Sequence, residues 1–112
     1  MNPIRQGDVI LIHVESSVSA QQRPAPLDQA QRLNHLTLAE GEVTGHRHRI
    51  AEGEAELYER SGTLYLYVRS ASARLVHEEH QPIDVSRGVW QVRIQREYVG
   101  SEHPQVYRSV ED

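Results

Sequence analysis

Ala55-Glu56-Leu57-Tyr58-Glu59, then Arg60-Ser61-Gly62, then Thr63-Leu64-Tyr65-Leu66-Tyr67-Val68, is two short runs rich in strand-forming residues on either side of a glycine-bearing break. That is the signature of a β-hairpin. The same rhythm extends in both directions, with short segments separated by turn signals every eight to twelve residues or so. Upstream, Leu36-Thr37-Leu38-Ala39 alternates, Glu40-Gly41-Glu42 turns, Val43 to Ile50 runs as a strand, and Glu52-Gly53-Glu54 turns again. Downstream, Ser72 to His77 and Ile83-Asp84-Val85 are short strands, and Ser86-Arg87-Gly88 is a turn. Val89 to Tyr98 then forms the longest strand, with Trp90, Val92 and Ile94 on its apolar face. Near the start, Val9-Ile10-Leu11-Ile12-His13-Val14 is too short and too β-branched for a helix, so it reads as a strand after a Gly7-Asp8 turn. Gln105 to Arg108 adds an edge strand. The expectation is a single all-β, antiparallel domain over residues 1–112 with less than about a tenth of it helical.

Residues 16–34 break the pattern. Gln21-Gln22-Arg23-Pro24-Ala25-Pro26 carries almost no large apolar side chain, and only Leu27 and Ala30 offer an apolar stripe, so the sequence predicts a flexible loop with little to bury. A loop of this length in a small domain serves either as a lid or binding loop or as a plain insertion.

Bulk composition excludes several functions. Of 112 residues none is cysteine, which removes disulfides, thiolate metal sites and cysteine nucleophiles. All twelve basic residues are arginine, so no Walker lysine exists, and no Gly-X-Ser-X-Gly is present. A formal charge of −4 argues against an extended nucleic-acid surface. No apolar run approaches the roughly 18 residues that cross a bilayer, and the first residues hold no signal-peptide core, so a cytoplasmic protein with no membrane partner is expected.

Four of the seven histidines fall in two patches, Gly41-Glu42-Val43-Thr44-Gly45-His46-Arg47-His48-Arg49-Ile50 and His77-Glu78-Glu79-His80. On a strand, side chains two apart share a face, so His46 and His48 look one way and Arg47 and Arg49 the other. Ala73, Leu75 and His77 share a face too, and Leu75 marks it as the buried one. His80, three residues on, belongs to a turn closed by Gln81-Pro82. Neutral imidazole is a common ligand for divalent metals, and with no thiolates in the chain the candidate metal ligands are His46, His48, His77 and His80. The ion would be Zn, Mn, Fe or Ni. Glu52, Glu78 and Glu79 are candidate oxygen ligands or partners that orient an imidazole. His13 reads as a structural histidine.

Gly41, four residues, His46-Arg47-His48, three residues and Glu52 resembles the front half of the first motif of the cupin superfamily, although the motif's closing glycine is missing. Ser86-Arg87-Gly88-Val89-Trp90-Gln91 keeps the glycine of the second motif but has Gln91 where that motif has histidine. The resemblance implies a jelly-roll barrel, or double-stranded β-helix, with a metal at its mouth. Thr44-Gly45-His46-Arg47-His48, His77-Glu78-Glu79-His80-Gln81-Pro82-Ile83 and Gln95-Arg96-Glu97-Tyr98 also resemble elements shared by a group of small uncharacterised bacterial proteins. That resemblance implies no particular activity.

Two other classes stay open. In the first, the catalytic set is again His46, His48, His77 and His80, acting as metal-free general acid and base on RNA or a small cyclic nucleotide, with Arg47, Arg49 and Arg96 neutralising phosphate. In the second, the domain is a non-catalytic module that binds a small-molecule ligand or assembles. Under every reading the free strand edges favour a homodimer.

Overall fold

The computed structural model describes residues 2–14, 24–41, 43–98 and 107–109. They build an antiparallel sheet curled into a half-barrel, with no α-helix among them. No helix of the described residues is therefore long and apolar enough to cross a membrane. The strands are β1 (Ile4–Gln6), β2 (Val9–Val14), β3 (Gln31–Arg32), β4 (Thr37–Glu40), β5 (Arg47–Glu52), β6 (Ala55–Arg60), β7 (Thr63–His77), β8 (His80–Ile94), β9 (Arg96–Tyr98) and β10 (Tyr107–Ser109). The main sheet runs β1-β2-β8-β7-β5-β4; β6 pairs with the first part of β7, and β3 with β6. β9 and β10 form a separate two-stranded ladder, and residues 105 and 106 of the expected edge strand lie outside the described residues.

The expected hairpin is present. β6 and β7 pair from Ala55↔Val68 to Arg60↔Thr63 across the two residues Ser61 and Gly62. Both have positive φ, 52° and 81°, as a type I′ turn requires, because its twist matches that of the flanking strands.

The largest departure from expectation is continuity. β7 and β8 are each 15 residues long, where the sequence predicts two shorter strands in place of each. Their register shifts between Val68 and Ser72. Before the shift Leu66 and Val68 face the core; after it Ala73, Leu75 and His77 do, so the inward parity changes from even to odd. β8 changes the same way, with Val85 inward on one side and Trp90 and Val92 on the other. A bulge that reverses parity in polar sequence mimics a turn.

The core gathers Val9, Leu11, Leu38, Ile50, Leu57, Leu66, Leu75, Val85, Trp90 and Val92, with Ile94 packed against it, so Trp90, Val92 and Ile94 share the inner face as strand parity predicts. The outer face carries a second cluster of Leu27, Ala30, Tyr58 and Val89, flanked by Val14, Tyr65 and Tyr67. Leu27 and Ala30 are the only two apolar stripe residues of the expected loop, and both are buried. Pro24 is fully buried as well, and a single 3-10 turn, Ala25–Leu27, follows it. From Pro24 onward the segment is thus a packed strap across the sheet; residues 15–23 lie outside the described residues.

Candidate functional site

The four histidines of the two patches meet at one end of the sheet. His77 is the hub: its ring centroid lies 4.2 Å from that of His48, stacked, 4.8 Å from that of His80, and 5.6 Å from that of His46, edge-on. His48 and His80 are 6.0 Å apart.

The way each side chain arrives differs from the sequence reading. His48 sits inside β5, but β5 begins at Arg47, so His46 is not on the strand. It stands at the end of a turn in which Gly45 N–H donates to the Gly41 carbonyl (2.9 Å) and Gly41 N–H donates to the His46 carbonyl (2.8 Å). His46 joins the cluster through this turn, and strand parity plays no part. His80 is not on a turn either. Glu78 and Glu79 alone make the β7–β8 turn, His80 opens β8, and His77 and His80 are direct cross-strand partners. Directly opposed residues of an antiparallel pair share a face.

Beneath the cluster lies a buried polar network that sequence patterning does not reveal. His48 is 0% exposed, and Gln6 and Asp8 beside it are 3% and 2% exposed. Gln6 ends β1, and Asp8 is the second residue of the Gly7-Asp8 turn into β2. The Gln6 amide Nε2 donates to the carbonyls of Leu75 (3.1 Å) and Gln81 (2.9 Å), which fixes its Oε1 toward His48 Nδ1 at 2.9 Å. Since Oε1 only accepts, Nδ1 carries a hydrogen. His48 Nε2 faces Asp8 Oδ1 at 3.1 Å. The ring thus lies between two acceptors, and the arrangement is satisfied by an imidazolium–carboxylate pair or by one proton shared between Nε2 and Asp8. Either way both nitrogens of His48 are engaged within the protein.

His77 is also assigned by its surroundings. Its Nδ1 accepts the backbone N–H of Glu79 at 3.0 Å, so that nitrogen carries no proton and the neutral ring bears its hydrogen on Nε2. His46 Nδ1 lies 3.5 Å from the Glu79 carboxylate. Glu78 accepts the backbone N–H of Arg47 at 3.0 Å, and that bond holds its carboxyl below the usual carboxylate range, helped by its own backbone N–H and by His46 and His77. Nδ1 of His46 and Nε2 of both His77 and His80 are shielded from solvent.

The remaining candidates lie elsewhere. Glu52 is exposed and pairs with Arg74 at 3.4 Å. Gln91 pairs with Ile12 and Tyr65 on the outer face, away from the histidines. His13 packs edge-on against Trp90 at 5.1 Å, as a structural histidine does. Arg47 and Arg49 are exposed, on alternate positions to buried His48, and the Arg96 side chain lies outside the described residues.

Among the described residues no three His, Asp or Glu side chains already stand in coordination geometry. The chain belongs to the family described as a domain of unknown function (DUF8820), whose model matches residues 5–95. No curated protein and no solved structure matches it.

Proposed function

We propose that the histidine cluster binds a divalent cation, with His46, His80 and the Glu79 carboxylate as ligands and His48 and His77 as positioning groups behind them. The observation that carries this reading is the packing of shielded imidazole nitrogens beside a carboxylate. His46 and His80 both pack against His77, with ring centroids 5.6 and 4.8 Å from its own, which keeps the two imidazoles in one neighbourhood. The ligand set differs from the one drawn from the sequence, because His48 would have to give up Gln6 or Asp8, and His77 the Glu79 N–H, before either could ligate. His46 and Glu79 keep exposed side-chain surface, so their rotation is the least costly route to a closed set.

Electrostatics favours a cation over a phosphodiester. The groups about the cluster are the carboxylates of Asp8, Glu78 and Glu79, and Arg47 contributes its backbone N–H rather than its guanidinium. An anionic substrate would meet like charge there. The cupin-like reading shares only His46 with this ligand set, since Glu52 pairs with Arg74 and Gln91 lies on the outer face.

The test is calorimetric titration of dialysed, untagged protein with Zn, Mn, Fe(II) and Ni salts at pH 8. One ion per chain is expected, with binding lost in His46→Ala and His80→Ala and weakening below about pH 6 as the imidazoles protonate. If no ion binds stoichiometrically at pH 8, the metal-free acid–base reading or the non-catalytic one replaces this reading.

A further inference from the structure

The outer face of the sheet, remote from the histidines, has a charge of its own. Directly opposed residues share a face, and the pairing places three arginines in one row: Arg5 opposite Ile10, Ile10 opposite Arg93, and, two strands beyond, Arg60 opposite Thr63. A second row runs Ile12, Gln91, Tyr65, Tyr58, Arg32, and a third Val14, Val89, Tyr67, Glu56. Arg69 reaches the same face, 3.3 Å from Glu56. All five arginines are exposed.

Against them stands one carboxylate in the rows, Glu56, shared by Arg32 at 3.6 Å and Arg69. Asp28 on the strap is a second acidic group nearby. Of the exposed acids, Glu40, Glu52 and Asp84 lie on β4, β5 and the turn-proximal half of β8, Glu78 and Glu79 in the β7–β8 turn and Glu54 in the β5–β6 turn, while Glu59 on β6 alternates with Arg60 and so belongs to the other side of the strand. A net charge of −4 therefore conceals a strongly basic face, and the exclusion of nucleic acid drawn from the total does not apply to it.

We propose that this face binds a single-stranded nucleic acid. With strands 4.7–4.9 Å apart, Arg5, Arg93 and Arg60 recur at about 10 Å across the sheet, a track of guanidiniums suited to a phosphate backbone. Tyr65 and Tyr67, half-buried against the Leu27 and Ala30 cluster of the strap, keep part of their surface exposed beside the arginines, where unpaired bases could pack. A membrane fits less well: among the described residues the one exposed large hydrophobic is Val43, in the turn before β5, and Ile10 and Ile12 on this face are only partly exposed. The proposal does not depend on the cation.

Fluorescence anisotropy of the full chain with labelled oligouridine and oligothymidine of about 12 nucleotides tests it. Binding is expected to weaken between about 50 and 200 mM salt, with a log–log slope of roughly −2 to −3.5 for three to five neutralised phosphates. Arg60→Glu with Arg93→Glu should lower affinity about tenfold or more and flatten that slope, and the milder Arg93→Gln should shift both in the same direction. Arg49→Glu, on β5, should leave affinity unchanged, with circular dichroism confirming that each variant is folded. The RNA and DNA arms show whether the 2′-hydroxyl contributes. No binding at low salt, equal loss in Arg49→Glu, or duplex and polyphosphate bound as tightly as single strands would overturn the proposal.

Discussion

His48→Ala probes the polar network directly. The substitution removes two buried bonds, to Gln6 at 2.9 Å and to Asp8 at 3.1 Å, and leaves a carboxylate that is 2% exposed without the imidazole opposite it. Taking one member from a buried charged pair costs about 3–5 kcal/mol, because the survivor keeps its desolvation penalty. Domains of this size are stable by about 5–15 kcal/mol in total, so the loss is a large part of the whole. At about 4–8 °C per kcal/mol for a small domain, it should lower Tm by at least about 12 °C. Urea unfolding followed through the single, fully buried Trp90 gives the number. Asp8→Ala should be similarly damaging. The double variant should cost less than the sum of the two, with a coupling of about 1–3 kcal/mol, since removing both groups leaves neither stranded. A loss under about 1 kcal/mol in His48→Ala, or strict additivity in the cycle, would refute the idea that the pair is desolvated and mutually satisfied.

Two further outcomes are expected. Gly53→Ala should destabilise by about 2 kcal/mol or more, because φ there is +97° and an added Cβ would come within 2.6 Å of the Ser72 carbonyl oxygen and 2.8 Å of Ala73 Cα. Gly62→Ala, with φ +81° and no atom within 4 Å of the added Cβ, should cost only about 1 kcal/mol; equal values in urea denaturation would contradict the contact argument. Glu78, held below its ordinary value of 4.5 chiefly by the Arg47 N–H, contributes stability that is present above that value and disappears as pH falls through its lowered folded pKa. An NMR titration of the Glu78 side chain with a midpoint at or above 4.5 would contradict the bond.

Period-two reasoning succeeds where it is local. Trp90, Val92 and Ile94, and likewise Ala73, Leu75 and His77, fall on one face because a strand imposes that alternation regardless of its neighbours. It fails at Arg69 to Ala71 and at Ser86 to Gly88, where paired register shifts look like turns because the residues are polar or small and the inward parity changes across them. Parity holds only within a strand, and His46 lies one residue before one. Spacing along the chain puts His80 on a turn, whereas what places it is pairing with His77 across a two-residue turn. Gln6 and Asp8 leave no trace in the pattern, since what makes them buried is a histidine some forty positions away. Leu27 and Ala30 show the opposite error: a stretch poor in apolar residues still docks when the few it has all point one way.

The inequality of the sheet's connections sets an order of assembly. β7 and β8 are joined by two residues and can zip from Glu78-Glu79 outward as soon as both have emerged, because each new pair closes only a small additional loop. β2 is made first yet must find β8 across nearly the whole chain, from Val9 to Ile94. Long-range pairing of that kind carries its loop entropy before any contact rewards it and is the slow step of folding. Gln6 and Asp8 travel with that first hairpin, so the pair with His48 closes last, as a latch on a sheet already formed. Substitutions along the β7–β8 hairpin and at Leu11, which pairs with Val92 in the slow step, should therefore slow refolding, while those at Gln6 and Asp8 should chiefly speed unfolding.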